Sequence, residues 1–210
     1  MNPVNTADIN NLEETPSPSL LVFPDRVEAN VDRMLDMVGG DVLRLRPHVK
    51  THKMAEVVRL QVAKGITQFK CATIAEAEMT AISGGRDILL AHQPVGPNLA
   101  RFLKLQECFP EVAFSATVDS PEVVAEFEKT GQSARLFVDV DCGMHRTGIE
   151  PGEGALALCQ RIAFSDNLDF AGLHAYDGHL HQPGLIDRTE AHAAAIESWA
   201  GLLQLLENEN

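Results

Sequence analysis

The sequence predicts an α/β protein built as a (β/α)8 TIM-like barrel, truncated after about six core strands, and three observations lead to this fold class. Short apolar segments alternate with amphipathic helical segments along the 210 residues, which is typical of parallel strands joined by crossover helices. Polar and titratable residues follow the ends of the predicted strands, where barrel enzymes keep their chemistry. The alternative, a doubly wound open sheet, lacks a G-x-G-x-x-G after its first strand.

The elements follow from hydrophobic periodicity and from glycine and proline punctuation. A polar leader covers residues 1–17, and residues 18–210 are predicted to form the barrel domain. Predicted strands cover residues 20–23, 43–49, 68–72, 87–91, 112–118, 135–140 and 168–175, and the last six form the core sheet. Predicted helices cover residues 25–38, 54–63, 74–82, 98–108, 121–129, 154–162 and 188–206. A complete barrel needs eight strands and typically about 250 residues, so we expect an incomplete one.

Composition narrows the class of protein. Apolar residues make up 45% and charged residues 22%, close to the averages of globular domains. The formal charge of −13 argues against nucleic acid or an anionic membrane as a partner, because both need a basic face. Four cysteines lie far apart without a C-x-x-C pair and are predicted to be reduced. Neither a signal peptide nor a long apolar run is present, so we expect a cytoplasmic protein.

The segment Arg46-Pro47-His48-Val49-Lys50-Thr51-His52-Lys53 is the most unusual stretch. A lysine at the end of a barrel strand points into the barrel mouth, where burial and neighbouring cations lower an amine pKa. An amine in that state can form a Schiff base with an aldehyde. The segment could equally be a solvated basic loop, and Lys53 is the residue that best fits that alternative.

Two later strand ends carry further candidates. Arg146 lies between Gly143 and Gly148, which suggests a tight loop that presents its guanidinium to the mouth, unless it pairs with Asp139 or Asp141. Beyond the last strand come His174, the single tyrosine Tyr176, His179 and His181. A phenol at this point can stack on or hydrogen-bond to a bound ring, and a His-x-His pair can bind metal. Lone loop histidines, including His92, are as often only solvated.

Together these segments resemble the D-threonine aldolase and metal-activated D-serine dehydratase family, which are fold-type III pyridoxal-phosphate enzymes related to alanine racemase. The lysine segment carries most of the resemblance. Residues 141–148 are similar to the family loop D-x-G-x-x-R-T-G, and Gly172-Leu173-His174-Ala175-Tyr176 stands where the family has a strand-end tyrosine. The resemblance covers roughly residues 18–206 and implies a barrel of the alanine racemase N-terminal type.

The resemblance also implies roles and partners. Lys50 would carry pyridoxal 5'-phosphate as a Schiff base and act as a base at the substrate Cα. Arg146 would lie near the cofactor, Tyr176 would contact its ring, and His48 and His52 would line the same mouth. From their positions at and after the end of the last strand, we also expect His174 to contact the cofactor and His179 or His181 to act as a base or assist catalysis. The substrate would be a small D-3-hydroxy amino acid, cleaved by retro-aldol reaction or dehydrated by β-elimination, and the whole enzyme would be a homodimer.

Family members run to nearly twice this length. The phosphate-binding loop and a C-terminal β domain, which would bind a divalent metal (Zn or Mn), therefore lie outside this sequence, and no metal ligand is assigned here. We expect the 210-residue chain alone to bind cofactor poorly and turn over slowly. Three other functions stay open: an amino-acid racemase, a non-catalytic pyridoxal-phosphate carrier, and a metal-dependent barrel hydrolase that uses His179 and His181 with His48, His92 or His145.

Overall fold

The computed structural model describes residues 10–208, and within this range a parallel five-stranded sheet alternates with helices. The strands are β1 (Gln68–Cys71), β2 (Asp87–Leu90), β3 (Ala113–Val118), β4 (Ala134–Val140) and β5 (Leu168–Ala175). The α-helices are α1 (Pro24–Met37), α2 (Ala55–Ala63), α3 (Ile74–Ile82), α4 (Pro97–Cys108), α5 (Pro121–Thr130), α6 (Glu153–Ala163) and α7 (Leu185–Asn208). Short 3-10 turns cover Leu12–Glu14, Val42–Arg44 and Val49–Thr51. The predicted alternation of strands and helices is confirmed.

The strands lie in chain order, β1-β2-β3-β4-β5, and every neighbouring pair is parallel. β1 and β5 would lie about 19 Å apart if the sheet were flat, at about 4.8 Å per strand. Instead, Lys70 Nζ on β1 lies 2.7 Å from His174 Nε2 on β5. The sheet therefore curls strongly enough for its edge strands to touch through their side chains, as in a barrel.

The hydrophobic core fills the space between the outer face of this sheet and its helices. Phe69, Phe102, Phe127, Leu136 and Ile162 are all at most 1% exposed and belong to one continuous cluster. Burial of such side chains is the main force that holds α/β layers together. No helix within residues 10–208 is both long and apolar enough to cross a membrane.

The predicted strand at residues 20–23 is wrong. This segment has no regular secondary structure, and Leu20 is 80% exposed. An apolar run forms a strand only where a neighbouring strand supplies hydrogen bonds, and none of the described strands lies beside it. The helix that follows begins at Pro24, one residue before its predicted start.

The predicted strand at residues 43–49 is also wrong in form, and the count of core strands falls from six to five. Asp41 accepts a hydrogen bond from the Leu43 amide and starts a 3-10 turn there. Only His48 pairs with the sheet, through an isolated parallel bridge to Lys70. Pro47 has no N–H to donate to a ladder, but its carbonyl accepts from the Lys70 amide at 2.9 Å. The segment still lies beside β1, so it occupies the place of a first barrel strand.

Candidate active site

A cavity of about 500 Å³ opens at the carboxyl ends of the strands. This volume is within the range of small-molecule sites. Seven of the polar side chains around it come from different parts of the sheet: His48, Lys50, Lys70, Asp139, Arg146, His174 and Tyr176. Five of these seven were singled out from the sequence, and the structure places all five around one space.

Lys50 lies on the 3-10 turn Val49–Thr51, directly after the bridge to β1. The imidazole Nδ1 of His48 accepts a hydrogen bond from the Lys50 backbone amide at 3.3 Å, which fixes the start of this turn. The side chain of Lys50 reaches over Tyr176, with Nζ 5.8 Å from the ring centroid. Among residues 10–208, no carboxylate or hydrogen-bond acceptor pairs with this amine. Lys50 therefore offers a free amine to the cavity.

A buried carboxylate anchors the turn from below. Glu76 on α3 is 4% exposed, and it accepts hydrogen bonds from the Lys53 ammonium and from the Ala72 amide. Lys53 has a φ of +50°, a conformation that a residue with a side chain adopts only when its surroundings hold it there. Lys53 is thus a structural anchor of the lysine turn, while its neighbour Lys50 faces the cavity.

Arg146 projects from a loop that folds back on its own strand. The Asp141 carboxylate accepts from the Gly143 and His145 amides, at 2.9 and 3.0 Å, and from the His145 ring. The guanidinium carbon of Arg146 lies 5.3 Å from the Tyr176 ring centroid. Asp139 and Asp141 pair with His174 and His145, and within the described residues neither forms a salt bridge with Arg146. Among the described residues, Arg146 therefore does not form the salt bridge with Asp139 or Asp141 that the sequence left open.

Asp139, His174 and Lys70 form a chain of contacts across the cavity wall. Asp139 Oδ1 lies 2.6 Å from His174 Nδ1, and Lys70 Nζ lies 2.7 Å from His174 Nε2. Burial lowers the pKa of Lys70, and the charges of Lys50 and Arg146 add to this effect while Asp139 opposes it. Lys70 and Asp139 were missed from the sequence. The sequence signal that could have found Lys70 is its position as a charged residue inside the short strand β1.

The electrostatics of the cavity are dominated by positive charge. Lys50, Lys70 and Arg146 all lie between 5.3 and 5.8 Å from the centroid of the same Tyr176 ring. Burial, together with Lys50 and Lys70, lowers the pKa of His48 to about 4, so this imidazole is neutral at neutral pH. Like charges at this spacing repel one another, and an anionic ligand between them would relieve the repulsion. The arrangement suits an anionic molecule with an aromatic ring.

The structure does not bring His179 and His181 to this cavity. The His179 ring lies against Gly143, and its buried Nδ1 has no hydrogen-bond partner among the described residues. His181 lines a second cavity with Arg188 and His192 beside α7, and this cavity shares Tyr176 with the main one. His92 does line the main cavity, and its Nδ1 contacts the Gln93 carbonyl.

Within residues 10–208, no three His, Cys, Asp or Glu side chains are grouped so that they could hold a metal ion. The hydrolase alternative, which needs His179 and His181 with other histidines, therefore finds no assembled ligand set in the described part of the chain. All four cysteines are free thiols, as predicted, and the buried ones, Cys71, Cys142 and Cys159, have raised pKa values caused mainly by burial.

Comparisons with known proteins agree with this geometry. Over 203 residues the chain is 30% identical to a 3-hydroxy-D-aspartate aldolase of Paracoccus denitrificans, covering 93% of this chain and 52% of the relative. It is 27% identical to a D-threo-3-hydroxyaspartate dehydratase of a Delftia species, covering 91% of this chain and 50% of the relative. The crystal structure of D-threonine aldolase from Filomicrobium marinum superposes with a TM-score of 0.80 at 28% identity, covering 89% of this chain and 52% of that one.

The chain spans about half the length of the curated relatives it matches. The family described as "Alanine racemase, N-terminal domain" matches residues 22–210, which is nearly the whole chain. A match of this extent agrees with the curled parallel sheet. The chain therefore belongs to the alanine racemase N-terminal domain family.

Proposed function

We propose that this chain forms the cofactor-binding half of a pyridoxal-phosphate lyase that acts on small D-3-hydroxy amino acids. The observation that carries the proposal is the free amine of Lys50 in a cavity that it shares with Arg146 and Tyr176. The relatives are aldolases and dehydratases, which supports a substrate with a β-hydroxyl group. Retro-aldol cleavage and β-elimination are the two reactions in question.

The residues of the cavity fit pyridoxal phosphate. The cofactor has a carbonyl for a lysine amine, an aromatic ring and several negatively charged oxygens. The cavity offers the unpaired Lys50 amine, a phenol ring and two further cationic side chains, Lys70 and Arg146. When bound, the cofactor supplies an aldehyde that joins an amine and a ring that withdraws electrons from the bonds at Cα.

The residues of the chain have distinct tasks in this proposal. Lys50 would hold the cofactor through its side-chain amine, and the same amine, when not bonded to the cofactor, would take or return a proton at the substrate Cα. The fixed positive charge of Arg146 would favour negatively charged oxygens of a cofactor bound in the cavity. Tyr176 offers a ring face to the site. His48 is neutral and holds the backbone of the lysine turn, so it does not compete with Lys50 for a proton at neutral pH.

A divalent metal and a homodimer belong to the proposal for the whole protein. A metal would polarise the β-hydroxyl in either reaction. Because the described residues offer no group of three metal ligands, its ligands would have to come from elsewhere in the protein. His179 and His181 do not line the main cavity, but the cavity that His181 lines shares Tyr176 with it, so a part for these histidines in the chemistry stays a prediction.

Covalent trapping tests the proposal. The whole protein is mixed with excess pyridoxal phosphate and reduced with borohydride, and the labelled peptide is identified by mass spectrometry. We expect a visible absorption band that borohydride removes, with the label on Lys50. Lys50→Ala abolishes the label, whereas Lys104→Ala, at an exposed lysine on α4, leaves it unchanged.

A label spread evenly over surface lysines, or equal labelling of the wild type and Lys50→Ala, would contradict the proposal. Product analysis then separates the two reactions. Glycine and acetaldehyde from D-threonine indicate retro-aldol cleavage, and pyruvate and ammonia from D-serine indicate β-elimination, each measured with and without divalent metal.

A further inference from the structure

Lys70 is the one cavity lysine for which neither the sequence motif nor the proposed reaction has a use. It comes from β1, whereas its contact His174 comes from β5, and the two strands are at opposite edges of the sheet. Asp139, on β4, pairs in register with His174 and contacts the other ring nitrogen. The imidazole is thus held from both sides by groups of opposite charge.

The hydrogen-bonding capacity of the two partners determines where the ring carries its proton. An ionised carboxylate can only accept, so the 2.6 Å contact with Asp139 requires a proton on Nδ1. A lysine ammonium can only donate, so the 2.7 Å contact with Lys70 requires an unprotonated Nε2. With Asp139 ionised and Lys70 protonated, both contacts are satisfied together by a single form of the ring, the neutral imidazole protonated on Nδ1.

The surroundings of Lys70 show why this hydrogen bond matters. Burial lowers its pKa, and Lys50, Arg146 and Arg46 lower it further, while Asp139 acts in the opposite direction. Tyr176 presents its ring 5.5 Å from Nζ, and His48 pairs with the Lys70 backbone. The ammonium has no carboxylate in direct contact within the described residues, so His174 is its direct acceptor there.

We propose that Lys70 is a positioning residue that acts through His174. Its ammonium occupies Nε2, so that the ring stays neutral, keeps its orientation against Asp139 and is withheld from proton transfer to a molecule in the cavity. The contacts that join Lys70, His174 and Asp139 do not depend on a bound ligand. Its consequence for a bound cofactor, a fixed neutral imidazole at the cavity wall, rests on the proposed function.

Nitrogen-15 NMR of the histidine rings in the 210-residue chain tests this proposal without cofactor or turnover. The His174 signals are assigned by their loss in His174→Gln. In the wild type at neutral pH we expect a protonated Nδ1 and a bare Nε2. Lys70→Met removes the donor and the neighbouring cation, so the neutral Nδ1–H form should give way to imidazolium or to a mixture of tautomers. Lys70→Arg, which keeps a donor, should restore it, and Lys104→Met is the matched control.

Two outcomes would overturn the proposal: a protonated Nε2 in the wild type, or a Lys70→Met spectrum identical to that of the wild type. The wild-type measurement decides the tautomer even if Lys70→Met fails to fold. Asp139→Asn provides a second variant, in which the Nδ1–H preference should weaken and the pKa of Lys70 should fall further. Trapping on Lys50 is a separate readout, so the proposed function and the task of Lys70 can fail independently of each other.

Discussion

Lys50 and Lys53 are the same type of residue in one short segment, but their environments differ. Lys53 is tied to the buried Glu76, whereas Lys50 has no anionic partner among the described residues and lies over an aromatic ring. His48 lies in the same segment and contacts the Lys50 backbone. Its ring accepts from the Lys50 amide and lies near two ammonium groups, so protonation of this ring would add a third positive charge.

His48 gives the first prediction at this scale. Its ring should titrate at about pH 4 in the folded chain, against an ordinary value of 6.5. The unfolded chain binds a proton here more readily, so this contribution to stability is complete above pH 6.5 and is lost as the pH falls towards 4. NMR titration measures the pKa directly, and unfolding curves of His48→Gln should lose stability less steeply over this range. His192→Gln, at an exposed site on α7, is the control, and an ordinary pKa for His48 would contradict the prediction.

The identities of the cavity residues could be read from the sequence only where a local motif carried them. Lys50, Arg146 and Tyr176 each stand in a short recognisable segment at a strand end, and all three line the cavity. Lys70 and Asp139 do not, because their contact with His174 depends on how far the sheet curls. A residue that acts through the curvature of the whole sheet leaves no local pattern.

At the scale of elements, the loop between β4 and α6 is held by a backbone bridge to its own strand and by the Asp119 side chain from the loop after β3. Ile149 bridges to Val140, the Gly148 amide donates to Asp119, and the loop closes within a few residues. Gly148 has a φ of +102°, and a Cβ there would lie 2.6 Å from the Asp141 nitrogen. No side chain can be moved aside to make room, because the obstacles are backbone atoms.

Gly148→Ala should therefore destabilise the chain by about 2 kcal/mol or more, through both strain and overlap. Gly131→Ala is the matched comparison, because Gly131 has a φ of +65° but open space around it, and it should cost only about 1 kcal/mol. Thermal or denaturant unfolding measures both values. Equal losses in the two variants would show that the close approach at Gly148 does not matter.

The elements that sequence patterns misplaced also have a physical explanation. Residues 20–23 are apolar enough for a strand but lie beside no partner strand, and residues 43–49 combine a 3-10 turn with a proline. The bounds of helices with full amphipathic patterns and N-terminal caps were predicted more accurately. Thr73 and Ser120 cap α3 and α5, and the predicted starts of both helices are confirmed.

At the scale of the whole molecule, the end of the sheet opposite the cavity is closed by an ion cluster. Asp87 at the start of β2 receives a two-pronged contact from Arg46, at 2.8 and 3.1 Å, and a further contact from Arg135 on β4 at 3.2 Å. Arg46, Asp87 and Arg135 thus connect the first segment of the barrel with β2 and β4. The cluster thus supports the curvature on which the cavity depends.

Asp87→Asn tests this cluster. Burial by itself would raise the pKa of Asp87, but hydrogen bonds and charge from Arg46 and Arg135 hold it below the ordinary value of 3.8. The carboxylate therefore contributes stability that is present above pH 3.8 and is lost as the pH falls through the lowered value. The variant should lose about 1–3 kcal/mol at pH 7, and its deficit should shrink in acid. Asp166→Asn, in an exposed loop, is the control, and a deficit that does not depend on pH would contradict this account.

The pairing of β4 with β5 has a consequence for how this strand can change over evolutionary time. Leu136 pairs with Phe170, but Phe137 pairs with Gly172, so Ala171 is a single extra residue within β5. Before Ala171 the even-numbered residues Leu168 and Phe170 pack in or against the hydrophobic core, whereas after it the even-numbered residue His174 lines the cavity. The alternation of inward and outward side chains is therefore reversed between the two halves of β5. A substitution that changes core packing in the first half can leave the cavity side chains of the second half in place.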